Sequence, residues 1–169
     1  MKQKAKHTAI ILILTVLGLP FLFVACAPGS KYRDGIPCRE VSEAFIQSQG
    51  GAVEYSYYNG EELSFFLEIP EYVTDLSVAY STDVNDINEV GVFHCADENS
   101  AKEFFGTVSS YLKDQQTTQK AFIESYAPHE VPKLEGAEAR RYGNYVVYAI
   151  LSSKDKKTLW DITDKKIRG

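Results

Sequence analysis

Residues 88–112 read NEVGVFHCADENSAKEFFGTVSSYL, and this stretch decides the fold because two periodicities meet in it. Residues 88–96 alternate their side chains between two faces, which predicts a strand. From about residue 98 the apolar residues recur at helical spacing, which predicts a long helix that reaches about residue 124. Asp97 or Ser100 suits the first turn of this helix, because short polar side chains accept hydrogen bonds from its free N–H groups.

Three more predicted strands complete a sheet, one before residues 88–112 and two after them. Residues 75–81 alternate as a strand that precedes the first one. Residues 137–142 and 145–152 flank Gly143-Asn144, which suits a type II′ hairpin turn that pairs Tyr142 with Tyr145. Two strand pairs are therefore predicted, with the long helix between them.

The remaining segments are mostly helical. Helices are predicted over residues 37–49, 61–67 and 155–166, whereas residues 52–60 fit a strand or an irregular segment. Two prolines predict an extended loop over residues 126–136. The order of elements favours an α+β fold, with an antiparallel sheet of about four strands and helices packed mainly on one face.

The hairpin register sorts its side chains into two sets. Alanines and aliphatic residues, with Tyr148, form the set that suits close packing under a helix. The other set is predicted to face outward and is a candidate binding face, because aromatic residues and arginine are enriched at binding hot spots. It contains Arg140, Tyr142, Tyr145 and Val147.

The N-terminus has the features of an export signal. Three lysines precede residues 8–25, an almost unbroken apolar run that ends in Phe23-Val-Ala-Cys26. Small residues before a cysteine resemble the lipobox of bacterial lipoproteins. This resemblance implies that Cys26 is acylated and, after cleavage of the signal peptide, becomes the first residue of the mature protein. A retained membrane anchor is the alternative, because the run approaches the ~20 residues that span a bilayer, and plain secretion is another.

This interpretation divides the chain into three parts. Residues 1–25 are a cleaved signal peptide, residues 26–36 are a tether rich in breaker and polar residues, and residues 37–169 form one α+β domain. We expect the protein on the extracytoplasmic face of the cell membrane, held there by its N-terminal lipid.

Composition narrows the classes of partner. The whole chain has a formal charge of −5, and removal of Lys2, Lys4 and Lys6 leaves 15 basic against 23 acidic residues. Such a surface repels phosphate backbones, and this excludes nucleic acid as a partner. An envelope protein, a peptide or a glycan remains as a partner class.

Two cysteines remain after Cys26. Cys38 opens the first helix and Cys95 closes a strand, in a chain expected to face an oxidising compartment. They are candidates for a disulfide, and two inert thiols are the alternative reading.

The sequence contains no clear constellation for catalysis. His94 and Cys95 are adjacent on a strand and therefore point to opposite faces, and the spacings typical of zinc sites are absent. No catalytic residue, metal ligand or cofactor is predicted. The leading hypothesis is a non-catalytic binding or accessory module, and the alternatives are an extracytoplasmic hydrolase and a structural envelope protein.

Three short motifs, in order after the lipobox, carry a family resemblance. They are residues 88–93 (NEVGVF), residues 126–130 (YAPHE) with Leu134, and residues 143–147 (GNYVV). From about Arg39 to Lys165 the chain resembles a family of small lipoproteins from Gram-positive bacteria, domain of unknown function 4358. The resemblance implies a lipid-anchored location in the cell envelope and a domain that spans about Arg39 to Lys165. It implies no catalytic residue.

Overall fold

A computed structural model describes residues 31–168 of the chain. The predicted signal peptide and Cys26 lie outside the described residues. The helices are α1 Cys38–Ser48, α2 Gly60–Ser64, α3 Glu98–Thr118, α4 Lys120–Tyr126, α5 Val131–Glu135 and α6 Ser153–Thr163. The strands are β1 Tyr55–Tyr57, β2 Val73–Ser81, β3 Glu89–Cys95, β4 Glu138–Tyr142 and β5 Tyr145–Ile150.

The strands form one antiparallel sheet in the order β1-β2-β3-β5-β4. The predicted hairpin is confirmed: Tyr142 pairs with Tyr145, and Gly143 has the positive φ of 59° that its turn requires. The sheet has five strands and not about four. The additional strand is β1, which pairs Tyr55 with Ser81 and is only three residues long, too short to give a clear alternating pattern.

Helices cover both faces of the sheet, so the prediction of helices mainly on one face is wrong. Val90 and Val92 of β3 lie in a core cluster with α1 and α6. Phe93 and Cys95 of the same strand lie in a second cluster with α2 and α3. The central strands are apolar on both sides, and such strands are buried between two helical layers.

The long helix begins where the sequence predicts. The Asp97 carboxylate accepts a hydrogen bond from the Ser100 N–H at 2.8 Å, which caps α3. The predicted continuous helix to residue 124 is interrupted at Gln119. Its last part belongs to a separate short helix, α4. The predicted extended loop over residues 126–136 instead contains a 3₁₀ turn, Pro128–Glu130, and α5, because Pro128 and Pro132 each occupy a first-turn position that needs no N–H donor.

Residues 32–36, which the sequence analysis assigns to the tether, pack against the folded domain. The Arg33 N–H donates a hydrogen bond to the Ile167 carbonyl oxygen at 2.6 Å. Asp34 Oδ1 lies 2.5 Å from His94 Nε2 at the end of β3. The Tyr145 hydroxyl is hydrogen-bonded to the Ile36 backbone. Contacts with the folded domain are therefore already made by residues 33–36.

Candidate functional site

Glu89 is a buried carboxyl at the start of β3, on the face covered by α3. The alternation of the strand puts it on the same side as Gly91 and Phe93, which is an apolar side. Only 8% of Glu89 is exposed. Buried carboxyls need hydrogen-bond partners, and two tyrosine hydroxyls provide them here.

Both hydroxyls donate to the same oxygen of the carboxyl. Tyr111 of α3 donates to Glu89 Oε1 at 2.8 Å, and Tyr148 of β5 donates to it at 2.7 Å. Within residues 31–168, no hydrogen bond reaches Glu89 Oε2. One oxygen of the carboxyl is therefore fixed by the fold, and the other is available.

Gly91 allows Tyr148 to reach Glu89. The two residues lie opposite each other in the register of β3 and β5. A Cβ atom at Gly91 would overlap the ring carbons of Tyr148, so the ring occupies the space that a side chain would fill. The ring also stacks on Phe93, with centroids 6.0 Å apart. The glycine of the NEVGVF motif is therefore required by the ring that holds Glu89.

The electrostatics of the site favour the protonated form of the Glu89 carboxyl. Burial raises the pKa of Glu89, and the hydrogen bonds from Tyr148 and Tyr111 oppose this shift only in part. The neighbouring Lys133 forms ion pairs with Asp86 and Glu130, and no ion pair among the described residues reaches Glu89. Burial, followed by the charge of Glu89, raises the pKa of both Tyr111 and Tyr148, so both hydroxyls keep their protons and remain donors.

A cavity of about 190 Å³ adjoins this carboxyl. Its polar lining consists of Glu89, Tyr111, Gln115 and Gln119. Its apolar lining consists of Ile87, Phe122, Ile123, Leu134 and Ile150. Phe122 is 59% exposed, so the cavity has an aromatic residue at its solvent side. An apolar cavity with a few converging polar groups is the usual form of a small-ligand site.

A charged cluster holds the wall of the cavity in place. The Glu130 side chain is buried, and its Oε2 accepts hydrogen bonds from the Ile87 N–H at 3.0 Å and from Lys133 Nζ, 2.7 Å away. Lys133 also contacts Asp86 at 2.8 Å. Burial has the largest single effect on the pKa of Asp86 and would raise it, but the hydrogen bonds from Lys133 and the Asn88 N–H and the charge of Lys133 together outweigh burial, so the pKa is lowered. The cluster links the turn before β3 to the segment that contributes Leu134.

The arrangement is suited to binding a cation or a hydrogen-bonding group. A protonated Glu89 can donate a hydrogen bond through Oε2 to a ligand acceptor. An ionised Glu89 is costly in an apolar cavity unless a cation joins it. A positively charged ligand would therefore provide the cation that Glu89 does not have among the described residues.

The predicted binding face of the hairpin is not exposed. Tyr142, Tyr145 and Val147 are buried in the core cluster under α1 and α6, so the prediction that they face outward is wrong. Arg140 is partly exposed, and its guanidinium lies 4.5 Å from the Trp160 ring centroid and 2.9 Å from Glu138. The predicted division of the hairpin side chains between two faces is confirmed. That division cannot indicate that α1 and α6 cover the face with Tyr142, Tyr145 and Val147.

The candidate disulfide is not formed. Cys38 and Cys95 are both free, buried thiols. Cys38 lies in the core cluster with α1 and α6, and Cys95 lies in the cluster with α3, so the sheet separates them. Cys26, the predicted lipidation site, lies outside the described residues.

The sequence patterns considered above do not predict the Glu89 site, although one local signal for it is present. Glu89 falls in the same alternation set as Gly91, Phe93 and Cys95, and an acidic residue in an apolar set indicates a buried charge that needs a partner. Helical spacing puts Tyr111 with the apolar residues of the long helix, and alternation puts Tyr148 on the core face of the hairpin, but their joint contact with Glu89 depends on the packing of α3 across the sheet.

A family model described as domain of unknown function (DUF4358) matches residues 59–151, more than half of the chain. This range contains Glu89, both tyrosines and every residue that lines the cavity. No curated protein and no solved structure matches. None of the helices over residues 31–168 is long and apolar enough to cross a membrane, and the same residues hold no group of three or more His, Cys, Asp or Glu side chains arranged for a metal ion.

Proposed function

We propose that this chain, which belongs to the family of domain of unknown function 4358, is a lipid-anchored binding module on the extracytoplasmic face of a bacterial cell membrane. Its ligand is a small molecule or a peptide end that carries a primary ammonium group. The observation that carries the proposal is the buried Glu89 carboxyl, which has a free oxygen at the wall of an apolar cavity.

The anchor is supported by the N-terminal sequence. A basic segment, an apolar run and Ala25-Cys26 follow one another in the order of a lipoprotein signal. Acylation of Cys26 would hold the domain beside the bilayer, where its ligands are those of the cell envelope.

The charge and lining of the cavity support the ligand class. An ammonium group beside Glu89 Oε2 would pair with a carboxylate that has no cation among the described residues. Tyr111 and Phe122 line the same space, and aromatic faces attract cations. The volume of about 190 Å³ corresponds to roughly six water molecules at ~30 Å³ each, which is enough for an amine with a short apolar chain.

A titration with three probes of similar shape tests the ligand class. The detergent-solubilised full chain is titrated by calorimetry with n-butylammonium, n-butanol and n-butyrate. We expect binding of n-butylammonium only, and we expect it to strengthen as the pH rises, because a higher pH ionises Glu89, whose pKa is raised by burial.

Two variants complete this experiment. Glu89→Gln keeps the shape of the side chain and should abolish binding of n-butylammonium. Glu71→Gln removes an exposed carboxyl in the turn before β2 and should bind like the parent chain. Equal affinity for n-butanol, or unchanged binding by Glu89→Gln, would contradict the proposal.

The anchor is tested separately by Cys26→Ala. In cells fed a labelled fatty acid, this variant should lose the lipid label and accumulate as the unprocessed precursor. Cys95→Ala is the matched control and should be labelled and processed. Normal labelling of Cys26→Ala would refute the lipoprotein assignment.

A further inference from the structure

A second, basic groove lies near the first described residue of the chain. It has a volume of about 350 Å³ and lies between α1, α6 and the π-helical turn Asp164–Arg168 that follows α6. Its basic residues are Arg33, Lys165 and Lys166. Its apolar residues are Ile36, Ala44 and Ile162. The groove therefore combines cations with an apolar wall.

The charge of this groove is opposite to that of the chain. Glu40 is the acidic residue in its lining, and its carboxylate is paired with Lys166 at 2.7 Å. Among residues 31–168, Arg33 and Lys165 have no ion-pair partner. Two unpaired cations thus face one groove in a protein that has an excess of acidic residues.

The chain path keeps the groove close to position 26. The Arg33 N–H is hydrogen-bonded to the Ile167 carbonyl oxygen, so the groove begins where the chain joins the domain. Residue 31 is five residues after Cys26, and a fully extended chain spans at most ~3.6 Å per residue, or about 18 Å in all. The groove must lie within reach of the head groups of any bilayer that holds Cys26.

We propose that this groove binds the phosphate head group of an anionic phospholipid, phosphatidylglycerol, in the anchoring membrane, an inference that rests on the proposed lipid anchor at Cys26. Arg33 and Lys165 contact the phosphate, and Lys166 adds charge while it remains paired with Glu40. The apolar wall accepts the glycerol and the first methylene groups of the lipid. Charge complementarity and the short length of chain before residue 31 select a lipid of this membrane as the occupant.

The binding mode orients the domain. The groove between α1 and α6 faces the bilayer. The end of the sheet at which Asp34 contacts His94 faces the bilayer as well. Glu89 lies at the other end of β3 from His94, which contacts Asp34, and five residue steps of a strand cover roughly 17 Å. The Glu89 cavity also lies on the opposite face, under α3. It therefore opens away from the membrane.

Lysine labelling on vesicles tests the groove. The full lipidated chain is inserted into vesicles of phosphatidylcholine alone, or of two parts phosphatidylcholine to one part phosphatidylglycerol. Acetylation of each lysine is followed by mass spectrometry. Lys165 and Lys166 should react at least about fivefold more slowly on the anionic vesicles, as expected for cations held at an anionic surface. The exposed Lys157 of α6 should react equally on both.

Two double variants distinguish a specific groove from a general charge effect. Arg33→Glu with Lys165→Glu should remove the protection of Lys166 on anionic vesicles. Lys102→Glu with Lys154→Glu makes the same change in charge at exposed positions elsewhere and should leave the protection intact. Equal labelling of Lys165 on the two vesicles, or equal effects of the two double variants, would overturn the proposal.

A final measurement separates failure of the groove from failure of the anchor. If the chain is not retained by vesicles of either composition, the anchor is absent and the proposed function fails in that part. Soluble dihexanoyl-phosphatidylglycerol is then added to the full chain and should still slow the labelling of Lys165, whereas inorganic phosphate at the same concentration should not. Equal protection by inorganic phosphate would show a free-phosphate site and refute the lipid, and no protection by either would refute the groove.

Discussion

The Tyr145 hydroxyl accepts a hydrogen bond from the Ile36 N–H at 2.7 Å and donates one to the Ile36 carbonyl oxygen at 2.9 Å. One side chain of β5 thus satisfies both main-chain groups of a residue 109 positions earlier. Burial raises the pKa of Tyr145 to about 12, so the hydroxyl keeps the proton that it donates. This contact connects residues 32–36, the entry segment of the domain, to strand β5 of the sheet.

Removal of this hydroxyl should loosen the entry segment. Tyr145→Phe leaves the N–H and the carbonyl oxygen of Ile36 without these partners, and we expect the free energy of unfolding to fall by about 1–3 kcal/mol. Urea denaturation measures this change, and trypsin should cleave after Arg33 faster than in the parent chain. Tyr57→Phe is the control, because the Tyr57 hydroxyl has no hydrogen bond among the described residues. Equal stability of the two variants would refute this role of Tyr145.

The stability of the domain should depend on pH through Glu89. Burial raises the pKa of Glu89 above its ordinary value of 4.5, so between these two values the folded state binds more protons than the unfolded state. The contribution of this group to stability is therefore complete below pH 4.5 and is lost as the pH rises through the folded-state pKa. Glu89→Gln should gain stability relative to the parent chain as the pH rises. Urea denaturation from pH 4.5 to 8 tests this, and a pH-independent difference would contradict it.

The ring of Tyr148 lies so close to Gly91 that a methyl group on Gly91 should destabilise the domain. Gly91→Ala would force the fully buried Tyr148 ring to move, and we expect a loss of about 1–3 kcal/mol in unfolding free energy. Gly106→Ala is the matched control, because nothing lies within 4 Å of a Cβ atom at Gly106 of α3. That control should be neutral or stabilising, since alanine is the better helix former. A stable Gly91→Ala variant would show that the ring has room to move.

The two core thiols should be inert until the domain unfolds. Burial raises the pKa of Cys38, and it raises the pKa of Cys95 to about 11, so both remain protonated near neutral pH. A thiol-specific colorimetric reagent should detect neither in the folded protein and both after unfolding without reductant. Failure to detect them in the unfolded, unreduced chain would show that they are bridged.

Local patterns predicted most of the strands and helices but not their layering. Alternation located β2, β3 and the hairpin of β4 and β5, because each has a strand period of two and a turn residue suited to its position. The number of helical layers depends on which helix packs on which face. Tyr142 and Tyr145 illustrate this, because the same register is compatible with a solvated face and with a face under α1 and α6.

The Glu89 site was harder to predict because its parts are distant in the sequence. Tyr111 follows Glu89 by 22 positions and Tyr148 by 59, and the three meet only after α3 packs on the sheet. Gly91 belongs to the NEVGVF motif, but a single glycine in a strand does not reveal which ring will cover it. The acidic residue within an apolar set was the available local signal, and it predicts a buried charge without identifying its partners.

The order of the strands also affects how copies of this domain meet. The outermost strands, β1 and β4, each have one side without a paired strand among the described residues, and such sides can template edge-to-edge polymerisation. β1 offers only three residues, and β4 carries Arg140 and Arg141, whose charges oppose the addition of another strand. If the chain is concentrated on a membrane, as proposed, these two strands protect it from aggregation with its neighbours.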